Sequence, residues 1–273
     1  VGFWIHREGC KAVTLSPGSI FFATEEGETN LPGRPALEEV RGGGLIATWQ
    51  LPGREIKISF LPNKTGYTAM LTANPDTDII RWGFAIAAAP DEYFTGLIDR
   101  TVDGGQGNSW RAGMTEAMDL RGQKVDMIVK PTTSVYAPFY LSSAGYGLFV
   151  NTTWMGVFNF CQTDPNLVWI GFEGPSLEFQ FFIDNDPAKI VRAHAMRVGP
   201  PVLPPKWTFT PWRWRDDHKN LETYYDGTKV EAPYNSQLVE DVLMMEALGI
   251  PCGVYWVDRT WAKGHVGYAD FDW

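Results

Sequence analysis

The pattern of apolar and turn-forming residues changes once along the chain, near residue 186, and this change limits the folds that are open to it. Before that point, short β-prone segments alternate with clusters of Gly, Pro, Asn and Asp. The clearest segments are residues 56–60, 67–72, 148–152 and 177–183. Many short strands at this spacing are typical of a two-layer all-β domain. The sequence therefore predicts an antiparallel β-sandwich over residues 1–185.

A helix and a stiff linker are predicted after the sandwich. Asp186 followed by Pro187 is an N-cap with proline at the first helical position, and apolar residues then recur at helical spacing from Ile190. The next segment, residues 199–205, reads GPPVLPP, which favours an extended and stiff connector. We therefore assign residues 186–206 to a helix and linker, and predict a domain boundary at about residue 206.

The remaining residues, 207–273, read as strand, helix and strand. An apolar and aromatic stretch covers residues 207–214, a helical pattern follows over residues 238–245 with Gly249 as its C-terminal cap, and residues 253–257 form a second strand. This order predicts a βαβ unit with parallel strands. A closed (β/α)8 barrel needs roughly 250 residues. We therefore interpret this region as the start of such a barrel, incomplete in the present chain.

Charge and hydropathy exclude two classes of partner. The formal net charge is -9 and the basic residues are scattered, so no positive stripe is available for nucleic acid or an anionic membrane. The longest apolar runs, such as residues 84–90, are too short to cross a bilayer. Val1 is not followed by a signal-peptide pattern, and we expect that the natural start of the chain is missing. The compartment therefore stays unassigned.

Neither the cysteines nor the histidines indicate a metal site. Cys10, Cys161 and Cys252 are odd in number, far apart and without C-x-x-C spacing, so we expect free thiols. The four histidines show no ligand spacing. The segment Asp184-Asn185-Asp186 lacks the glycine and glutamate of a calcium loop and is better explained as a helix cap. No cofactor is expected.

Aromatic residues point weakly towards carbohydrate. They make up 14% of the chain, and 12 of the residues are Trp, more than core filling usually requires. The flat apolar face of a sugar stacks on such rings, and indole N–H groups can donate to hydroxyls. Large rings that simply fill a sandwich core are the competing interpretation.

Four stretches of the sequence resemble glycoside hydrolase family 31, the α-glucosidase and α-xylosidase family. Residues 138–151 (PFYLSSAGYGLFVN) resemble its sandwich signature, and residues 200–207, with Pro-Pro-Lys-Trp at their end, resemble the linker that enters its barrel. Residues 253–258 (GVYWVD) followed by Trp261 are similar to its second barrel strand, and residues 270–273 (DFDW) to the segment after it. The order and spacing of the four stretches cover most of the chain.

The resemblance implies an N-terminal portion of a retaining α-glycosidase. In that family a galactose-mutarotase-like sandwich precedes the catalytic barrel, and two Asp side chains from later barrel strands act as nucleophile and acid/base. Retention requires those carboxyl groups to lie about 5 to 5.5 Å apart. Both are expected beyond Trp273, so the chain alone is expected to be inactive towards its substrate, an oligosaccharide or glycoside with terminal α-linked glucose or xylose.

Three barrel residues are candidates for substrate binding. Asp258 ends the second predicted strand, where barrels place functional side chains, and the resemblance implies that it hydrogen-bonds sugar hydroxyls without transferring a proton. A helix N-cap or a loop salt bridge is the alternative. Trp261 and Trp214 are candidates for sugar-facing walls, with core packing as the alternative. Trp256 is a poorer candidate, because strand alternation is expected to point it at the helical layer.

A sandwich loop supplies the fourth candidate. Residues 103–110 are glycine-rich but lack the Gly-Lys-Ser/Thr of a phosphate loop. The resemblance implies that a sandwich loop reaches over the barrel mouth, so Asp103 or Asp99 can touch the leaving sugar; a plain hairpin loop is the alternative. Asn63 and Asn151 begin N-x-Thr sequons, but Asn151 falls in the strand predicted over residues 148–152, so we interpret the sequons as chance occurrences.

A second hypothesis belongs to a different class of protein. The chain can instead be a non-catalytic carbohydrate-binding or structural β-sandwich module with a vestigial tail. Further strand and helix units downstream, with an Asp at the end of the fourth barrel strand, would distinguish the enzyme from the module.

Overall fold

The computed structural model describes residues 3–10, 13–15, 17–98, 119–128, 136–215 and 236–257. The chain divides into two compact units, Val1–Pro200 and Pro201–Trp273. The division falls inside the proline-rich segment. The domain limits proposed from the sequence, 1–185, 186–206 and 207–273, remain a prediction.

The first unit is built almost entirely of short strands. Its described residues form β1 (Phe3–Ile5), β2 (Val13–Leu15), β3 (Phe21–Thr24), β4 (Gly27–Asn30), β5 (Ala36–Val40), β6 (Gly44–Leu51), β7 (Arg54–Asn63), β8 (Gly66–Asn74), β9 (Arg81–Ala87), β10 (Phe94–Ile98), β11 (Gln123–Met127), β12 (Tyr136–Ser142), β13 (Tyr146–Val150), β14 (Gly156–Phe160), β15 (Leu167–Glu173) and β16 (Leu177–Ile183). A 3-10 turn, Pro17–Ser19, precedes β3.

The strands form two antiparallel sheets. Within the described residues the first sheet has the order β1-β2-β9-β15-β14-β11, with β3 paired to both β9 and β4. The second has the order β10-β12-β13-β16-β8-β7-β6-β5. The β-sandwich predicted from the strand pattern is therefore confirmed.

The core lies between the two sheets and is rich in phenylalanine. Phe84 of β9, in the first sheet, stacks on Phe179 of β16, in the second, with ring centroids 4.2 Å apart and planes inclined by 23°. Both side chains are fully buried. Strand β7 shows how alternation produces this core, since Ile56, Ile58 and Phe60 face inwards while intervening residues are less buried. Burial of these apolar surfaces is the main favourable contribution to folding.

Three of the four named strand predictions are confirmed and one is wrong at its end. Residues 56–60, 67–72 and 177–183 lie within β7, β8 and β16. The strand predicted over residues 148–152 ends at Val150, and Asn151 is exposed, with its side-chain amide donating to Glu178 at 2.8 Å. The chain leaves the sheet here in a turn in which Thr152 Oγ1 accepts from the Trp154 amide at 3.1 Å. Asn151 therefore lies outside the strand, and its position in a strand no longer speaks against its glycosylation.

Helix α1 (Pro187–Val198) covers part of the second sheet. Its N-cap is Asp186, whose carboxylate accepts from the Ala188 amide at 2.9 Å, as the sequence predicts. Ile190 packs against Phe149 and Phe182, and the His194 ring stacks on Phe139 at 3.9 Å.

Within the described residues no group of side chains is arranged to hold a metal ion.

The three cysteines are free thiols, as expected. Cys161 is buried at the turn between β14 and β15, and this burial raises the pKa of its thiol. A raised pKa keeps the side chain protonated at neutral pH, so Cys161 behaves as part of the core.

The second unit contains a 3-10 turn (Lys206–Phe209), strand β17 (Trp212–Arg215), helix α2 (Ser236–Ala247) and strand β18 (Val254–Val257). The two strands pair directly and in parallel, which is the βαβ arrangement predicted. Residues 207–209 belong to the 3-10 turn, so the first strand is shorter than the predicted stretch. Gly249 has φ 64°, a left-handed value suited to the C-terminal cap predicted for it. No helix in the described part of the chain is long and apolar enough to cross a membrane.

Candidate functional site

The parallel pair β17–β18 presents two chemically different faces. Successive side chains of a strand point to opposite sides, and residues paired across parallel strands share a side. Trp214 is paired with Trp256, and Arg213 with Tyr255. One face is therefore aromatic, and the other carries a guanidinium and a phenol.

Contacts with α2 identify the face that is turned towards the helix. The Tyr255 hydroxyl donates to Asp241 of α2 at 2.6 Å, and Arg213 forms an ion pair with the same carboxylate at 3.4 Å. Asp241 lies next to the apolar positions of the helix in the sequence. The hydrophobic pattern therefore did not identify it as a residue that contacts the strands. The polar face of the strand pair is thus the face that packs on the helix.

The opposite face consists mainly of tryptophan. Trp212 and Trp256 lie with ring centroids 6.2 Å apart, inclined by 59°, and Trp214 is 51% exposed. The Trp212 indole N–H is satisfied by the Thr208 carbonyl at 3.0 Å. Trp256 therefore lies on the same face as Trp214, and the expectation that it points at the helical layer is wrong. The register of β18 places Tyr255 on the side that faces the helix, so the next residue, Trp256, points to the opposite side.

A close backbone approach sets the start of β18. The Gly253 amide donates to the Pro211 carbonyl at 3.1 Å, and a Cβ built on Gly253 would lie 1.8 Å from Thr210 Oγ1. Only glycine fits at this distance. Gly253 therefore holds the two strands in the register that places their tryptophans together.

The remaining predicted site residues lie outside the described part of the chain. These residues are Asp258, Trp261 and Asp103, together with the alternative Asp99. Asp258 directly follows the last residue of β18 in the sequence. Of the four predicted substrate-binding residues, the structure thus places Trp214 alone.

The described arrangement suits binding better than bond cleavage. An exposed aromatic face can stack with a sugar ring, and an indole N–H that has no acceptor within the protein can donate to a hydroxyl. Asp241 is the carboxylate shown in contact with this strand pair, and its bonds to Tyr255 and Arg213 place it on the helix side. Within the described residues of this unit, the tryptophan face is an apolar surface suited to stacking, and Asp241 lies on the opposite side of the strand pair.

Comparison with known proteins addresses the family and the fold of the chain. No protein-family model matches the chain. It is 27% identical over 137 residues to the α-xylosidase XylQ of Lactiplantibacillus pentosus, covering 50% of this chain and 16% of that protein. It is 31% identical over 104 residues to the isomaltosyltransferase of Sporosarcina globispora, covering 34% of this chain and 10% of that protein.

A solved structure extends the likeness to nearly the whole chain. The GH31 sulfoquinovosidase of E. rectale matches 97% of this chain and 42% of its own, with a TM-score of 0.67 and 12% identity. Together with the sequence matches, this likeness confirms the resemblance to glycoside hydrolase family 31, and the solved structure by itself shows a similar fold. The chain spans less than half the length of each of these three proteins.

Proposed function

We propose that the chain is part of a retaining α-glycosidase of glycoside hydrolase family 31 that hydrolyses terminal α-linked glucose or xylose residues. The observation that carries the proposal is the parallel pair β17–β18 following a β-sandwich, with Trp212, Trp214 and Trp256 on the face opposite α2. In a (β/α)8 barrel the face opposite the helices is the barrel interior, and the carboxyl ends of the strands form the active site. Similarity to an α-xylosidase supports the same substrate class.

Each predicted residue has a distinct role in this proposal. Asp258 follows the carboxyl end of β18 and hydrogen-bonds hydroxyls of the sugar at the cleavage site. Trp214 and Trp261 form walls against its apolar faces, and Asp103 is a further substrate contact. The sandwich is assigned to the galactose-mutarotase-like type. In this proposal the two catalytic aspartates belong to later barrel strands, beyond Trp273, and the chain alone is expected to be inactive.

Hydrolysis of aryl α-glucoside and aryl α-xyloside tests the proposal. The 273-residue chain is compared with a version extended to the end of its reading frame. We expect that only the extended form releases the aryl alcohol, with retention of configuration at the anomeric carbon. Turnover by the 273-residue chain would show that it contains a nucleophile of its own and would contradict the assignment.

A substitution in the extended form tests the role of Asp258. Loss of a charged hydrogen bond to a sugar hydroxyl costs about 1.5–3 kcal/mol, so Asp258→Asn is expected to lower kcat/KM by roughly 10- to 150-fold. Asp91→Asn, at an exposed position between β9 and β10, serves as the control and is expected to leave kcat/KM unchanged. Equal effects of both substitutions would remove Asp258 from the site. Sugar binding without hydrolysis by the extended form would favour a non-catalytic carbohydrate-binding module.

A further inference from the structure

A cavity of about 650 Å³ opens at one end of the sandwich, within the first unit. It lies between the β3–β4 hairpin, the start of β9 and the turn that follows β15. The residues that carry its chemistry are Trp154, Gly174, Glu173, Arg81 and Glu28. Its volume falls in the range of small-ligand sites, about 300–1,000 Å³.

One wall of the cavity is the indole of Trp154. This side chain is 56% exposed although it is large and apolar. Its ring rests on Gly174, where a Cβ would lie 3.0 Å from Cδ1 and 3.1 Å from Nε1 of the indole. Gly174 also has φ 119°, a conformation that favours glycine. Because Gly174 has no side chain, the Trp154 ring can lie directly against its backbone at the edge of the cavity.

Hydrogen bonds hold the turn beneath this ring. Trp82 Nε1 donates to the Pro175 carbonyl at 2.9 Å, and the Gly174 amide donates to the Ile80 carbonyl at 3.0 Å. The Glu173 amide donates to the Met155 carbonyl at 2.9 Å, which ties the turn to the segment that carries Trp154. The cavity wall is thus preformed, and a ligand does not have to order it on binding.

Charged groups of both signs surround the aromatic wall. Arg81 is ion-paired with Glu28, and its guanidinium lies over the Phe21 ring at 5.6 Å from the centroid. Glu173 is partly exposed and adds a second carboxylate. Sugar hydroxyls both donate and accept hydrogen bonds, so they can use the guanidinium and the carboxylates together. Two carboxylates against one guanidinium disfavour an anionic ligand.

We propose that this cavity binds a neutral carbohydrate, with one sugar ring stacked on Trp154 and its hydroxyls bonded to Glu173 and to the Arg81–Glu28 pair. The proposal rests on the carbohydrate specificity given under the proposed function, and it requires no catalytic residue. It adds a binding site in the sandwich to the tryptophan face of β17–β18.

Isothermal titration calorimetry of the 273-residue chain with isomaltotriose and with maltotriose tests this site. We expect saturable binding of at least one of the two sugars. Trp154→Ala is expected to weaken it by roughly tenfold or more, because an aromatic anchor carries a large share of binding energy. Trp154→Phe keeps a stacking ring and is expected to stay within about threefold of the native affinity.

A matched control separates this site from general effects of losing a tryptophan. Trp4 is 63% exposed and lies in β1, away from the cavity, so Trp4→Ala is expected to leave the affinity unchanged. Far-UV circular dichroism of each variant confirms that the sandwich is folded. The proposal is overturned if neither sugar binds, or if Trp154→Ala binds as the native chain does. Trp154-dependent binding without hydrolysis by the extended form would refute the proposed function and leave this site standing.

Discussion

Replacement of Phe179 by alanine tests how the two sheets of the sandwich are held together. Phe179 of β16 and Phe84 of β9 are both fully buried and stack across the layers at 4.2 Å. A buried Phe→Ala change costs about 3–5 kcal/mol, through lost transfer free energy and the cavity that remains. A domain typically has only about 5–15 kcal/mol of stability, so this loss is a large fraction of it.

Urea unfolding of the 273-residue chain, followed by circular dichroism, measures the effect. With a urea dependence of up to about 3 kcal/mol/M, a loss of about 4 kcal/mol lowers the unfolding midpoint by about 1.3 M or more. Leu61→Ala is the control, because Leu61 is 48% exposed on β7, where surface substitutions change the stability by about 0.5 kcal/mol or less. A double-mutant cycle with Phe84→Ala is expected to show a coupling of about 0.5–1.5 kcal/mol from the ring pair. A midpoint shift no larger than that of Leu61→Ala, together with zero coupling, would refute this account of sheet packing.

Two further predictions concern α1 and the second unit. Burial lowers the pKa of His194, so the unfolded chain takes up a proton more readily and the free energy of unfolding falls as the pH drops below about 6.5. His194→Phe keeps a ring against Phe139 and removes the titrating imidazole. Between pH 6.5 and pH 5 the urea midpoint of this variant is expected to fall less than that of the native chain. An identical fall in the two proteins would contradict the role of His194. Gly253→Ala places a Cβ against Thr210 and is expected to destabilise the β17–β18 pair by about 1–3 kcal/mol. The readout is faster hydrogen exchange at the amides of Val254 and Trp256. The control is Gly18→Ala, because a Cβ at Gly18 would meet no atom within 4 Å. Unchanged exchange in Gly253→Ala would contradict the close approach of the backbone to Thr210.

Elements that are stabilised by contacts between residues close together in the sequence could be predicted from local sequence signals. The Asp186-Pro187 cap signal predicted the start of α1, since the capping carboxylate and the bonded amide are two residues apart. Alternation predicted β7, because one face of that strand is buried and the other is not. The end of β13 was missed, because the turn at Asn151 depends partly on Glu178 of a neighbouring strand, 27 residues away.

The β-sandwich, the start of α1, the parallel strand pair and the likeness to glycoside hydrolase family 31 could be predicted from the sequence, because they follow from periodicity, cap residues and motif spacing. The tertiary structure decided which faces and surfaces are available to a ligand. The side of Trp256 depends on the register of β18 against β17 and on the contact between Tyr255 and Asp241. The cavity at Trp154 depends on Gly174, which reaches that ring through a turn 20 residues further along the chain. Such contacts join residues that are distant in sequence, so no local pattern contains them.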